Sequence, residues 1–429
     1  MTAAITTTGR YPAPQGPVRP GGTRLGGVVA SEPFSLRDEG RRRVLQALHD
    51  HGACRRSELV QLTSLSRSTV SSLVAELAAR GIVEEHPRTN GADGLRSLGR
   101  PAVMVSMAPN ARYAVGVDIG HDHVRVAVCG LLGGIVAESE ARREVDLAPH
   151  ETLDLAASRV RQALTEQTID TAAVIGLGLG IAAPVHTGSG WIEASGIMPG
   201  WVGVNPVQEM HSRTGLDVHV INDADAGALG EHSYGAGRGV DDLLYVRLSA
   251  GIGAGVIAGR RPLSGSAGMA GELGHVHVVE NGPICRCGNR GCLETVASPV
   301  AIAHLLSQSW HRPVTSQELM QLVEDGDPGA CRAVEDAAAH VGLAIAAAVN
   351  LLNPRLVIIG GDLARAGELL LDPIRTAIRR AVLPATAAQV SVVCGQLAEH
   401  AEVLGAASLA LADVPQRLTE PSAAARRRA

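Results

Sequence analysis

Three cysteines stand close together in Cys285-Arg286-Cys287-Gly288-Asn289-Arg290-Gly291-Cys292, and His275 lies ten residues before the first of them. Three thiolates and one imidazole close a tetrahedral zinc site with no open position, which is the structural rather than the catalytic type. The glycines in the run let the chain fold around an ion. A chain with no secretory segment is not expected to hold disulfides here. The expected ligands of a Zn²⁺ ion are therefore His275, Cys285, Cys287 and Cys292, with His277 as the rival fourth ligand. The other cysteines, Cys54, Cys129, Cys331 and Cys394, are scattered through helical or strand-like patterns and read as small hydrophobes.

A second group is basic and hydroxylic. Residues 1–110 hold 14 Arg against 9 acids, whereas the whole chain carries a net charge of −5, so a basic head precedes an acidic body. Such a head is suited to an anion such as nucleic acid. Within it, Val70, Leu73, Val74 and Leu77 repeat with the spacing of one helix face. The opposite face then carries Arg67, Ser68, Ser71 and Ser72, small enough to enter a major groove and meet base edges. Ser66 and Thr69 sit at the helix start, where backbone N–H groups favour a phosphate. Arg88, Arg96 and Arg100 lie where a wing would reach the DNA backbone or minor groove.

The elements that must position these groups follow from the apolar patterns. Val44, Leu45 and Leu48 share a face in a first helix, and Leu59, Val60 and Leu62 mark a short second. Ser66 caps the third helix and Gly81 stops it. Strand, loop and strand follow over 82–84 and 103–107, giving helix, helix, turn, helix and wing. From residue 113 onward, β-rich runs at 113–117, 124–129, 174–180, 218–221, 243–248 and 356–359 alternate with Ala-rich helical stretches such as 342–352. That is an α/β body.

The organisation expected is a disordered tail over 1–34, a winged helix-turn-helix DNA-binding domain over 35–109, a two-lobed body over 110–414 and a second tail over 415–429. With 429 residues, 45% hydrophobic and 19% charged, most of the chain can bury a core, which excludes a wholly disordered protein. The 50 glycines have no three-residue period, which excludes collagen. No window approaches 18–20 uninterrupted apolar residues and the start shows no secretory pattern, so no membrane partner is expected and the cytoplasm is the expected compartment.

Gly271-Glu272-Leu273-Gly274-His275, the cysteine run extended to Glu294, and Ile221-Asn222-Asp223-Ala224-Asp225-Ala226 together resemble the ROK family of repressors, open reading frames and sugar kinases. The resemblance covers residues from about 112 to 412. It implies an actin-like fold of two ribonuclease H-like lobes with a sugar cleft between them. The sugar-contacting positions it implies are Asn222, Asp223, Glu272, His275 and Glu294, with His275 holding sugar through one ring nitrogen and zinc through the other. Carboxylates and an amide suit a ligand with several hydroxyls, because a buried polar group left unpaired discriminates strongly against the wrong one. A plainer reading makes Asn222-Asp223 a helix N-cap. Pro199-Gly200-Trp201 matches the family's sugar loop, but Ile197 stands where an Asn is usual.

In the family's kinases the residue at Asp223 takes the proton from the sugar hydroxyl. Their first phosphate loop reads Asp-Ile-Gly-Gly-Thr, whereas this chain has Asp118-Ile119-Gly120-His121-Asp122-His123. A carboxylate ~4 Å from a phosphate charge costs about 4 kcal/mol in a surface-like dielectric. The second loop, Ser249-Ala250-Gly251-Ile252-Gly253-Ala254-Gly255, keeps its glycines but has Ala250 for the usual Thr, and Gly360-Gly361 persists. Asp223 is thus the remnant of a base, and no catalytic residue is expected. The resemblance implies a sugar-responsive DNA-binding regulator, a repressor that leaves double-stranded operator DNA when a sugar or sugar derivative binds, working as a homodimer or homotetramer. The alternative is an ATP-dependent sugar kinase with a DNA-binding extension.

Overall fold

The computed structural model describes residues 36–87, 103–109, 112–186, 189–192 and 196–412. Both expected tails, and the wing residues Arg88, Arg96 and Arg100, lie outside the described residues.

The head contains helices α1 (Leu36–His51), α2 (Arg56–Thr63) and α3 (Arg67–Ala79) and strands β1 (Cys54–Arg55), β2 (Val83–Pro87) and β3 (Val103–Met107). The Ser66 side chain accepts a hydrogen bond from the Thr69 N–H, and Gly81 follows α3 with a positive φ of 68°, so both helix-end signals operate. Val44, Leu45, Leu48, Leu59, Val70, Leu73, Val74 and Leu77 form the head's core. Each full burial of such a side chain stabilises by roughly 1.5–3 kcal/mol. Leu62 departs from expectation and is exposed; Thr63 turns inward instead, its hydroxyl donating to the Leu59 carbonyl. The short strand β1 was not legible, since two residues show no alternation; it pairs with β3 to complete a sheet of order β1-β3-β2.

The first lobe holds β4 (Tyr113–Ile119), β5 (His123–Gly130), β6 (Ile135–Arg142), α4 (Pro149–Glu166), β7 (Val174–Ile181), α5 (Pro206–Thr214), β8 (Val218–Asn222) and α6 (Asp223–Tyr234). The second holds β9 (Leu243–Leu248), β10 (Ile252–Ala258), β11 (Arg261–Pro262), α7 to α9 (Glu294–Ala297, Pro299–Trp310, Ser316–Glu324), α10 (Pro328–Leu352), β12 (Leu356–Gly360), α11 (Glu368–Ala381), α12 (Pro384–Ala387) and β13 (Ser391–Cys394). A last helix, α13 (Ala401–Ala412), returns to pack on α6, β4 and β7.

The two five-stranded sheets repeat one plan. Their orders are β6-β5-β4-β7-β8 and β11-β10-β9-β12-β13, with the first three strands antiparallel and the last two parallel to the central one. This is the two-lobed ribonuclease H-like architecture that the resemblance implied. The residues that the sequence grouped as a second phosphate loop divide between a turn at 249–251 and strand β10.

Glycines bring α13 close to the first sheet. A Cβ on Gly116 would lie 2.0 Å from the Val403 carbonyl oxygen, and one on Gly178 would lie 1.7 Å from that of Ala406. Val403, Leu404, Ala407, Ala410 and Leu411 of α13 belong to the same apolar cluster as the head's core. Helix α10 is long and apolar enough by composition to cross a membrane, yet half of its most apolar stretch is buried, with Val334, Val341, Ile345 and Val349 in the second lobe's core.

Candidate functional site

The cysteine run folds back on itself through paired segments, with Ile284 opposite Arg290 and His277 opposite Cys292. The ligand atoms of His275, Cys285, Cys287 and Cys292 all lie within 4.8 Å of one another. The Cys287 and Cys292 sulfurs are 3.7 Å apart, and the Cys285 sulfur is 3.5 Å from Nδ1 of His275. Zinc–sulfur bonds of about 2.3 Å and zinc–nitrogen bonds of about 2.0 Å, set tetrahedrally, require edges of about 3.8 and 3.5 Å. The four residues therefore fit a tetrahedral metal ion. His277 is exposed and outside the cluster, so the choice between the two histidines falls on His275.

Nδ1 of His275 faces the sulfurs, while its Nε2 lies 3.8 Å from Oε2 of Glu272 on the cleft side. Asn222, Asp223, Glu272, His275 and Glu294 all line one cavity between the lobes, together with Ile197, Arg247 and Gly251 to Ala254. All five residues singled out by resemblance are thus brought together, and Ile197 adds an apolar wall. Asn222 also serves as the plainer reading had it: its Oδ1 accepts from the N–H groups of Ala224 and Asp225 at the start of α6, and its amide donates to the Ala183 carbonyl. Glu294 accepts from the Ile252 N–H at 3.2 Å and pairs with Arg286 at 3.1 Å. The 3₁₀ turn Pro199–Trp201 sits beside this wall, Trp201 Nε1 donating to the Val145 carbonyl.

The carboxyls of this cavity crowd one another. Burial, then the charges of Asp223 and Glu294, raise Glu272 to about 7. Burial, Asp223 and Glu272 likewise raise Asp225 to about 7. Burial pushes Asp223 up, and the Arg247 guanidinium opposes it.

On the far side of Arg247 lies a second cavity of about 610 Å³, lined by the 118–123 loop, Ser249, Ala250, Gly360, Gly361 and Glu402 among others. Here the His123 ring fills the loop. A Cβ on Gly120 would stand 2.3 Å from that ring. Nε2 of His123 bonds Oδ2 of Asp118 and Nδ1 bonds Oδ1 of Asp122, each at 2.9 Å. Burial disfavours its charge, but these two carboxylates outweigh burial and raise it to about 10, so the ring is an imidazolium at neutral pH. The hydrogen bond from His123 holds Asp122 down at about 2, and Arg142 pairs with the same carboxylate at 3.0 Å. The charge expected to repel a phosphate is therefore offset by two cations, and the ring lies on Gly120. Gly360 has a packing reason to persist, since a Cβ there would lie 2.1 Å from the Tyr245 hydroxyl.

Arg247, Glu402 and Arg286 escaped the sequence reading. For Arg247 a signal existed: a charged residue inside the otherwise apolar strand Leu243-Leu244-Tyr245-Val246-Arg247-Leu248. In the head, Ser66, Arg67, Ser68, Thr69 and Ser72 are exposed and Ser71 is half-buried, all on α3 or its cap and away from its buried face.

Residues 114–413 match the ROK family, and residues 41–93 match the MarR family. A putative xylose repressor of Caldicellulosiruptor sp. is 29% identical over 384 residues, covering 86% of this chain and 95% of that protein. A glucokinase of Thermotoga maritima is 32% identical over 309 residues, covering 69% of this chain and 96% of that protein. Among solved structures, a ROK family transcriptional regulator, described as a homolog of the E. coli MLC protein, superposes with a TM-score of 0.74 at 26% identity and covers 89% of this chain and 98% of that one. The repressor match exceeds the glucokinase match by about the length of the head.

Proposed function

The chain belongs to the ROK family, and we propose that it is a sugar-responsive transcriptional repressor: the MarR-type winged helix over 35–109 binds operator DNA, and the body over 110–414 binds the releasing sugar or sugar derivative. The observation that carries this reading is the contrast within one cleft. The acid, amide and imidazole groups for a polyhydroxyl ligand are assembled, while an imidazolium ring lies on the glycine of the first phosphate loop.

In this reading Asn222, Asp223, Glu272, His275 and Glu294 receive the sugar hydroxyls. A zinc ion held by His275, Cys285, Cys287 and Cys292 fixes the loop that carries these groups. His275 presents Nδ1 to the metal and Nε2 to the sugar, so metal binding sets its tautomer and direction. Arg67, Ser68, Ser71 and Ser72 meet base edges, Ser66 and Thr69 a phosphate, and Arg88, Arg96 and Arg100 extend the contact from the wing. Two heads on half-sites ~34 Å apart require a homodimer or homotetramer, and a modest rotation abolishes simultaneous docking. The apolar cluster shared by α13 and the head's core supports such transmission, because lobe movement borne by α13 displaces the head. A cytoplasmic location suits this role.

The kinase reading draws on the retained Asp223 and on the glucokinase match. One experiment separates the two. Purified protein is incubated with fragmented genomic DNA from its own source, with and without a sugar pool, and retained fragments are sequenced. Fragments that share a palindrome and are lost with sugar support the repressor. No specific retention, together with sugar-dependent consumption of ATP, overturns it in favour of the kinase.

A further inference from the structure

Arg247 crosses the floor between the two cavities and lines both. It rises from β9 in the second lobe, and its side chain is 10% exposed. Its Nη1 lies 3.1 Å from Oδ2 of Asp223 at the start of α6, and its Nε donates to Oε1 of Glu402 on α13 at 3.0 Å. The Tyr245 hydroxyl donates to the same Glu402 oxygen at 2.9 Å. One guanidinium thus ties two buried carboxylates of different helices, and the buried Asp118 of β4 adds a third negative charge to its surroundings. A buried charge is tolerated only when paired, and of these acids Asp223 and Glu402 pair with Arg247 while Asp118 also pairs with His123.

We propose that Arg247 is the positioning residue of the sugar site: by bridging Asp223 to Glu402 it fixes the direction in which the Asp223 carboxylate meets sugar hydroxyls. This rests on the reading of the cleft as a sugar site. A carboxylate oxygen held by a fixed ion pair leaves its other oxygen to accept in a set direction, and protonating it would cost the guanidinium one of its two partners. Without Arg247, Asp223 faces the acids Asp118, Asp225 and Glu272, with His121 beside it. Asp223 then takes up a proton at higher pH than before, and the acceptor is lost from the acidic side upward.

The test is calorimetric titration of wild type, Arg247→Met and Arg247→Lys with D-xylose and with D-glucose between about pH 6 and pH 9. Glu272, raised to about 7 in the same cavity, gives wild type a pH dependence of its own, so the readout is each variant's affinity relative to wild type at the same pH. Arg247→Met should lose about tenfold in affinity at the acidic end and recover toward the alkaline end, with Arg247→Lys close to wild type. Equal loss at every pH, which mere packing would give, or no loss at all, overturns the proposal. A second measurement needs no ligand. Arg247→Met should lower the melting temperature by about 4 °C or more, and adding Asp223→Asn should restore part of it, because one stranded acid is removed. Absence of that rescue overturns the tie. If wild type binds neither sugar, the sugar reading fails with these ligands, and the melting comparison still decides the role of Arg247.

Discussion

On one side of Arg247 the cleft is lined by Asn222, Asp223, Glu272, His275 and Glu294; on the other it is lined by the His123 imidazolium, the 249–251 turn and Gly360-Gly361. Both sides are built on the same strand plan, but on the second the first phosphate loop has His121 and Asp122 in place of a glycine and a threonine. They differ in what fills the space above the backbone. On the sugar side, side chains converge and are held from behind by the cysteine loop. On the other, His123 lies where bare backbone N–H groups would have to meet a phosphate. On this side a glycine is replaced and a ring lies on the glycine that remains.

The comparison breaks most completely at the cysteine loop. Cys287→Ser should reduce metal affinity by more than about a hundredfold, beyond the effect of losing an outer partner, and abolish the sugar response with it. Metal content and sugar-dependent DNA release, measured on the same preparation, check this; a variant that loses metal yet responds fully separates the metal from the cleft. Asp223→Ala should abolish sugar release and cost roughly 3–5 kcal/mol in stability, because Arg247 is left buried without that partner. DNA affinity without sugar should be unchanged, as read by band shift.

A smaller effect sharpens the other side. His123 is raised to about 10 in the fold. Its stabilising contribution is fully present below the unfolded value near ~6.5 and is lost as pH rises from there through about 10. Wild type should therefore lose more melting temperature than His123→Gln on going from neutral to alkaline pH; equal losses would show that the ring is not held charged. The smallest effect expected is at the head. Arg67→Ala should weaken operator binding by about 1–3 kcal/mol if it meets a base, without changing the response to sugar, and equilibrium binding at several salt concentrations reads this.

Much of this was legible in the residues. The 3.6-residue spacing of Val70, Leu73, Val74 and Leu77 specified α3, and Ser66 and Gly81 specified its ends. Cysteine spacing pointed to the cluster that fits a metal ion, since a folded-back loop brings 285, 287 and 292 together. The choice between His275 and His277 was not decided by spacing, since they stand two residues apart; only the fold, with His275 closing the 3₁₀ turn Leu273–His275, shows which faces the sulfurs. The Arg247 bridge was illegible in its partners because Asp223 and Glu402 lie far from it along the chain. In the first phosphate loop the residues show a glycine and a threonine lost and an acid gained; the fold adds His123, whose two ring nitrogens are bound by acids on either side.

The most direct test follows the anisotropy of a labelled fragment retained from genomic DNA while D-xylose, D-glucose or ATP is added to the complex. The account predicts that a sugar releases the fragment and that ATP neither releases it nor is consumed. Release by ATP, or transfer of its phosphate to the sugar, would contradict the claim that one side of the cleft is kept and the other closed.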